Sequence, residues 1–479
     1  MQKLKFLGIL VAVILLALAI GSDQSARAQA EPQAALSAPN PASSPWKIGW
    51  VDESTSASVG AYPSVAYSPI DDLPYITYYD AVNGHLMLSN PGWHGGLNCG
   101  TDNNWWCRVV DGNGAPGNFH NVGTFSSLAF WKDRTGSIPG WKLGIAYHDV
   151  TGHGLMYAVY TETPTSWVWD VQTIVSTGQA GADEGLYTSL KFDNNGRPWI
   201  AYYSSFATEG RLKLAWFVGT GGNCGEGVDL NTWQCEIVDS GYLIGRFASL
   251  GIDHYDAMGI AYYDYINGRL KYAVRSNGPG NCGTSLHYNC IIVDGGSADV
   301  GMSASLTMRQ NIPDPNHIAY YDKTNGKLKY AVQTDSGANC GEGKWWCGIV
   351  DSIGANISQV GISMTLDKKG YPIIAYEDAS DAQGPSHLKI ARPASALDLG
   401  WGNCGDRPPG YLFTYWQCST LDTAGYGQGW VDVAAYTSVA ISRSGLATIA
   451  YYETDSYDDS TALKFATQWF QGFLPLVRR

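Results

Sequence analysis

The amino-acid sequence predicts an all-β protein, a seven-bladed β-propeller of four-stranded antiparallel blades. Three observations predict it. A motif of Ile, a small residue, Tyr, then usually Tyr and an acid recurs seven times between Ile76 and Ile449, about 62 residues apart on average. Each repeat contains four short strand-like runs separated by turn residues. The chain opens with an unpartnered fourth run and closes with a repeat that lacks one.

The second strand of each blade is the motif itself. It stands as Ile76-Thr77-Tyr78-Tyr79-Asp80, Ile145-Ala146-Tyr147-His148-Asp149, Ile200-Ala201-Tyr202-Tyr203-Ser204, Ile260-Ala261-Tyr262-Tyr263-Asp264, Ile318-Ala319-Tyr320-Tyr321-Asp322, Ile374-Ala375-Tyr376-Glu377-Asp378 and Ile449-Ala450-Tyr451-Tyr452-Glu453. The first strand follows a repeated serine: Ser64, Ser127, Ser189, Ser249, Ser305, Ser363 and Ser438. The third reads as Leu270-Lys271-Tyr272-Ala273, and the fourth ends in Val-Asp, as at Val110-Asp111. Turns such as Asp264-Tyr265-Ile266-Asn267-Gly268 join second to third strands, because Gly after Asn accepts the positive φ that a tight hairpin requires. The seventh repeat stops near Trp469 with three strands. Trp46-Lys47-Ile48-Gly49-Trp50-Val51-Asp52 therefore completes it and closes the ring without a covalent bond, removing an exposed sheet edge.

Composition agrees. Aromatics reach 13%, Gly numbers 57, and charged residues are 15%, against roughly 25% in ordinary soluble domains. Apolar content of 45% excludes a disordered chain. A net charge of −13 argues against nucleic acid or an anionic membrane surface as the main partner.

The ends suggest export. Lys3 and Lys5 precede the apolar run Phe6–Ile20, followed by the small-x-small patterns Ala26-Arg27-Ala28 and Ala28-Gln29-Ala30. Residues 1–30 read as a cleaved signal peptide, with an uncleaved anchor as the alternative. Residues 31–45 read as an Ala/Pro/Ser linker, 46–471 as the propeller and 472–479 as a C-terminal tail. The expected location is outside the cell or periplasmic, with no membrane span after signal removal. The sequence leaves the oligomeric state open.

The repeat resembles secreted bacterial seven-bladed propellers of the sialidase-like (BNR-repeat) and lectin-like kind, over residues 46 to about 471. The resemblance is architectural. The Ser-x-Asp-x-Gly-x-x-Trp box of sialidases is missing; Ser419-Thr420-Leu421-Asp422 has the wrong spacing, and three Arg residues able to grip a sialic acid carboxylate cannot be picked out. Sialidase activity is not carried over.

Ten cysteines fall as Cys99/Cys107, Cys224/Cys235, Cys282/Cys290, Cys340/Cys347 and Cys404/Cys418, each pair between the third and fourth strands of one blade and each opened by Asn-Cys-Gly. The repeat selects one connectivity, five local disulfides, each contributing roughly 2–3 kcal/mol on the chain-entropy model. Their spacing does not suit a metal site.

Strand alternation places the second-to-third turns and the fourth-to-first links on one face and the disulfides on the other. Two acid sets share the first face. One is Asp80, Asp149, Asp264, Asp322, Asp378 and Glu453; the other is Asp52, Asp111, Asp239, Asp294, Asp351 and Asp422. Both read as turn caps, with a calcium site or an acid pair for glycosidic chemistry as the alternatives; no other cofactor is expected. Departures from the repeat, His148, Ser204 and Glu377, mark where a unique site would lie. Tyr62, Phe125, Tyr187, Phe247 and Tyr436, each two residues before the repeated serine, read either as packing between blades or as an aromatic collar at the channel mouth that stacks on sugars. The repeated serines read as bonds to the neighbouring blade. Trp93, Trp131, Trp141, Trp199, Trp216 and Trp430 are less regular and read as the better ligand candidates; Lys132-Asp133-Arg134 reads as a solvated loop. His148 and His153 flank one turn and read as a solvent-exposed pair, with a metal site or the base of a polysaccharide lyase as alternatives. His148, Asp149 and Glu377 are the catalytic candidates.

The leading functional expectation is a non-enzymatic binding propeller for a carbohydrate or an extracellular protein. The alternatives are a polysaccharide-active enzyme, lyase or glycoside hydrolase, with its site at the channel mouth, and a passive scaffold.

Overall fold

A computed structural model describes residues 46–468, apart from 55–57, 93–97, 101–102, 113–119, 133–139, 163–166, 180, 208, 309–314, 382–384, 395–400, 409–414, 424–430 and 456–458. The signal peptide, linker, C-terminal tail, Trp93, Trp430 and the Asp133-Arg134 part of the charged loop lie outside the described residues. Among those described, no helix is long and apolar enough to cross a membrane.

Seven four-stranded antiparallel sheets form the ring, as the sequence predicts. The first strands are innermost: Val59–Tyr67, Val122–Lys132, Ala182–Phe192, Ile244–Ile252, Val300–Thr307, Ile362–Leu366 and Val431–Ile441. The N-terminal strand Trp46–Ser54 pairs antiparallel with Thr461–Gln468, so the last blade takes one strand from the start of the chain and three from its end.

Buried apolar clusters join neighbouring blades. One unites Leu270 and Tyr272 of blade four with Leu306, Ile318, Tyr320 and Trp345 of blade five. The Trp that opens the fourth strand inserts edge-on against a Tyr of the preceding blade, as in Tyr272–Trp345 (5.4 Å) and Tyr330–Trp416 (5.1 Å). The repeated serines hold the inner strands. Each Oγ accepts the backbone N–H that follows the serine of the next blade, from Leu128 to Ser64 (2.9 Å) round to Val65 on Ser438 (3.0 Å), so the circuit also crosses the non-covalent closure.

The second acid set does more than cap turns, which corrects the sequence reading. Asp52, Asp111, Asp239, Asp294, Asp351 and Asp422 each lie at or near the end of the outermost strand of one blade and accept the Tyr hydroxyl of the next blade's motif, at 2.5–2.7 Å. From blade four onward a third-strand lysine joins the same carboxylate: Lys271, Lys329, Lys389 or Lys464. In blades one and two Met87 and Met156 occupy that register instead. The five aspartates of the first set cap turns as expected: Asp80 accepts the N–H of Val82 (2.9 Å) and Asp149 that of Gly152 (2.8 Å), while Glu453 pairs with Lys464 Nζ (2.8 Å).

All five predicted disulfides are present, with the predicted partners: Cys99–Cys107, Cys224–Cys235, Cys282–Cys290, Cys340–Cys347 and Cys404–Cys418. Their placement corrects the sequence reading in one respect. Only the first cysteine of each pair lies between the third and fourth strands. The second, Cys107, Cys235, Cys290, Cys347 or Cys418, is the third residue of the fourth strand itself. Of these Cys107, Cys290, Cys347 and Cys418 are buried, and Cys235 is half-buried. The reason is that the loop folds back along the strand. Each first cysteine makes an isolated bridge with the residue that opens the fourth strand, as Cys99 does with Trp105. The Asn before it extends this pairing with its side chain. Its amide oxygen accepts the N–H of the second cysteine at 2.6–2.8 Å, and its amide nitrogen donates to that cysteine's carbonyl at 2.7–3.0 Å. The loop thus acts as one more short strand, and the second cysteine keeps its regular ladder position opposite the third strand.

Blades two and seven have no disulfide among the described residues. Replacing Cys340 and Cys347 together by Ser is expected to lower stability by about 2–3 kcal/mol, measured as a fall in the urea midpoint relative to the native chain under non-reducing conditions. Under full reduction the two proteins should differ far less.

Candidate functional site on the collar face

The first strands are bulged where they enter the ring. In blade four Ile244 pairs with Asp264, Arg246 with Tyr263 and Ser249 with Ala261, with a register shift in each interval. The bulge holds Tyr62, Phe125, Tyr187 and Phe247 at left-handed φ of 51–54°. A side chain there costs about 1 kcal/mol or more, since only Gly enters this region freely. Five blades accept an aromatic residue at this level, and the rings meet: Tyr436–Tyr62 4.5 Å, Tyr62–Phe125 4.5 Å, Phe125–Tyr187 4.7 Å and Tyr187–Phe247 4.6 Å between centroids. The collar is an arc of half-buried rings. Ser303 and Gly361 fill the two remaining blades, and the arc borders an axial recess of about 210 Å³. Both sequence readings therefore describe the same rings, which pack blade to blade and also line the recess.

Behind the arc stands a second layer from the fourth position of the motif. Tyr79, His148, Tyr203, Tyr263 and Tyr452 pack on the collar at 5.9–6.5 Å. The sevenfold pattern breaks between blades two and four. His148 is 5% exposed, which corrects the expectation of a solvent-exposed pair. Its Nδ1 lies 2.9 Å from Thr124 Oγ1 and its Nε2 lies 3.4 Å from Asp183 Oδ1. Burial pushes the imidazole below its ordinary value, so it is neutral at pH 7. His153, across the turn, places Nδ1 2.6 Å from the same Asp183 oxygen and is about a quarter exposed. Asp149 belongs to the turn, capping Gly152 and pairing with His120 Nε2 at 2.9 Å.

Asp183 and Glu184 are the residues that sequence reading missed. Glu184 occupies the register that Val or Ile holds in other first strands, and it is buried. It accepts from Lys213 Nζ at 2.8 and 2.9 Å and from Ser204 Oγ at 3.1 Å. Blade two has Val175 in the register where other blades have the interblade Asp, and Glu184 supplies a carboxylate to Lys213 from within blade three instead. The signal was legible as a charged residue breaking a repeated apolar position. Beside Tyr187, the Arg246 guanidinium lies 4.7 Å over Tyr265 and 5.8 Å from the Tyr203 ring. Arg246 Nε and the Tyr203 hydroxyl are buried with no hydrogen-bond partner among the described residues.

No protein family matches the chain, and no curated protein matches it. Solved structures do. An α-L-arabinofuranosidase from Fusarium graminearum is 11% identical, with a TM-score of 0.46 over 74% of this chain and 99% of that one. The polysaccharide lyase Uly1 is 10% identical, with a TM-score of 0.45 over 87% and 90%. The Aleuria aurantia lectin is 12% identical, with a TM-score of 0.36 over 79% and 99%. At these values no residue role is transferred. The expectation of a non-enzymatic binding propeller is nevertheless corrected: the similar propellers are mostly enzymes of polysaccharides, arabinofuranosidase, arabinanase and lyase, with a lectin among them.

Glu377, the departure in blade six, lies elsewhere on the ring. It accepts the Gly361 N–H at 3.1 Å, and burial pushes its carboxyl up to about 7. The folded state therefore keeps a proton that the unfolded chain releases near pH 4.5, and stability falls as pH rises from there to about 7. Glu377→Gln should gain up to about 3 kcal/mol at pH 8 and nothing at pH 4. Urea unfolding at the two pH values measures the difference; an equal effect at both would place the proton elsewhere.

Proposed function

We propose that the protein is an exported enzyme that cleaves an acidic polysaccharide by β-elimination at the collar face, over blades two to four. The observation that carries this reading is the sharing of one carboxylate, Asp183, by the two imidazoles of a single turn. Asp183 accepts the Nδ1 proton of His153 and leaves Nε2 of that partly exposed ring as the base. His148 backs the carboxylate from the buried side. Hydrolysis asks for two carboxyl groups free to flank the bond; here Asp183 is committed to the histidines and Glu184 to Lys213 and Ser204.

In the proposed step Arg246 pairs with the uronate carboxylate and makes the adjacent carbon more acidic. His153 Nε2 takes that carbon's proton. The electron pair forms a C=C bond, the glycosidic C–O bond on the next carbon breaks, and the departing oxygen takes a proton from water. The hydroxide left behind takes the proton from His153 and restores the base. Tyr62, Phe125, Tyr187, Phe247 and Tyr436 offer faces for neighbouring sugars. The step uses no cofactor. Removal of residues 1–30 on export and oxidation of the five disulfides belong to the same reading, consistent with an oxidising compartment.

The test is incubation of the purified chain from residue 31 onward with a panel of polyuronates and neutral glycans, reading new reducing ends and the ultraviolet absorbance of an unsaturated product. Both signals on a polyuronate are expected. Reducing ends without absorbance would mean hydrolysis and overturn the elimination. Neither signal across the panel would overturn the enzyme reading.

A further inference from the structure

On the disulfide side of the collar the axial channel opens into a second recess, of about 660 Å³. It lies away from the histidines, and nothing in the proposed reaction uses it. Its wall is built by the inner strands and includes six of the seven repeated serines, Ser64, Ser127, Ser249, Ser305, Ser363 and Ser438. Two residues after each serine comes a position that also lines the recess. Six blades put a small residue there: Ala66, Ala129, Gly251, Thr307, Thr365 and Ala440. Blade three puts Lys191.

Lys191 is therefore the one departure in a sevenfold set of small channel-lining residues. It has no carboxylate partner among the described residues. Asp193, also in the wall, is committed to Arg197 Nε (2.6 Å), Trp199 Nε1 (3.3 Å) and the N–H groups of Asn195 and Arg197. Lys191 is exposed to the recess, and the protein gathered around the channel pushes its proton affinity down. A second cation, Lys132, lines the same recess.

The serines supply the other half of the chemistry. Each Oγ already accepts a backbone N–H from the next blade, and none donates a hydrogen bond within the described residues. A hydroxyl that has accepted retains its own proton to donate. A ring of such donors around an unpaired ammonium is complementary to an anion and to nothing cationic.

We propose that this recess is an oxyanion site, in which Lys191 and the inward serine hydroxyls hold a sulfate, phosphate or carboxylate group on the channel axis. Two sources carry that chemistry, a free inorganic oxyanion and the acidic group of a sugar. The site is independent of the catalytic proposal, and either can fail alone.

Titration calorimetry at constant ionic strength, with chloride as the balancing anion, tests it. Sodium sulfate, inorganic phosphate and glucuronate are the probes, against the native chain, Lys191→Met and Lys191→Arg. At least one probe should bind the native chain, Lys191→Met should weaken it tenfold or more, and Lys191→Arg should retain it. Binding of sulfate or phosphate alone assigns the inorganic source, and binding of glucuronate alone the sugar source. Lys191→Met removes an unpaired charge, so without oxyanion its thermal midpoint should equal or exceed that of the native chain. This separates loss of binding from loss of fold. Absence of binding by all three probes, or equal binding by Lys191→Met, overturns the proposal.

Discussion

Asp239→Ala should destabilise the propeller by about 3 kcal/mol or more, the largest effect expected of a single substitution outside the apolar core. Asp239 lies near the end of the outermost strand of blade three, Trp233–Tyr242, and is 7% exposed. It accepts the hydroxyl of Tyr262, which is wholly buried in blade four, at 2.6 Å, and it also pairs with Lys271. Its other oxygen accepts the Ser240 N–H at 2.9 Å. Alanine strands all three donors at once, and an unpaired buried charge costs more than the pair contributes. Lys271→Met should cost much less, about 1 kcal/mol or below, because it leaves the Tyr–Asp bond intact. Blades one and two already have methionine in that register. Urea midpoints of the two variants measure the contrast. Equal losses would mean that the lysine, and not the tyrosine, anchors the carboxylate.

Asp183→Asn should lower turnover of a cleaved polyuronate by about 10²–10⁴-fold, with little change in KM. The amide keeps the shape of the carboxylate. However, it no longer fixes the His153 tautomer with Nε2 free, nor stabilises the imidazolium that forms. His153→Ala should reach the same floor, and the two changes combined should cost little more than either alone, since the groups act as a unit. Asp322→Asn is the control: Asp322 caps the blade-five turn at Asn325, and its variant should retain activity. A far-ultraviolet spectrum and thermal midpoint close to native would show that Asp183→Asn folds. Full activity in a folded Asp183→Asn protein would remove the dyad from the mechanism. Because the His148 ring is buried, bonded to Thr124 through Nδ1 and packed with Nε2 3.4 Å from Asp183, His148→Ala should act through the position of Asp183, moving KM and stability together with kcat.

Blade number, ring closure and disulfide pairing were all legible in the sequence, because each is written in local register. The motif Ile-small-Tyr marks every second strand, the Asn-Cys-Gly hairpins pair within one blade, and the leftover strand at Trp46–Asp52 has the pattern that the last repeat lacks. A fold built by repetition shows its plan in any one period. The candidate site was legible only as departures: His148, Ser204 and Glu377 broke a repeated position. What those departures touch was decided by the tertiary structure. Asp183 belongs to blade three and meets histidines of blade two, and Asp239 of blade three staples a tyrosine of blade four. Such pairs are set by the angle and stagger between neighbouring sheets, which no within-blade periodicity records. The same holds for the bulge that turns Tyr62, Phe125, Tyr187 and Phe247 into the channel, and for the central position of Lys191. A residue in an innermost strand looks like any other alternating strand residue until seven strands converge on one axis and bring its side chain within reach of the other six.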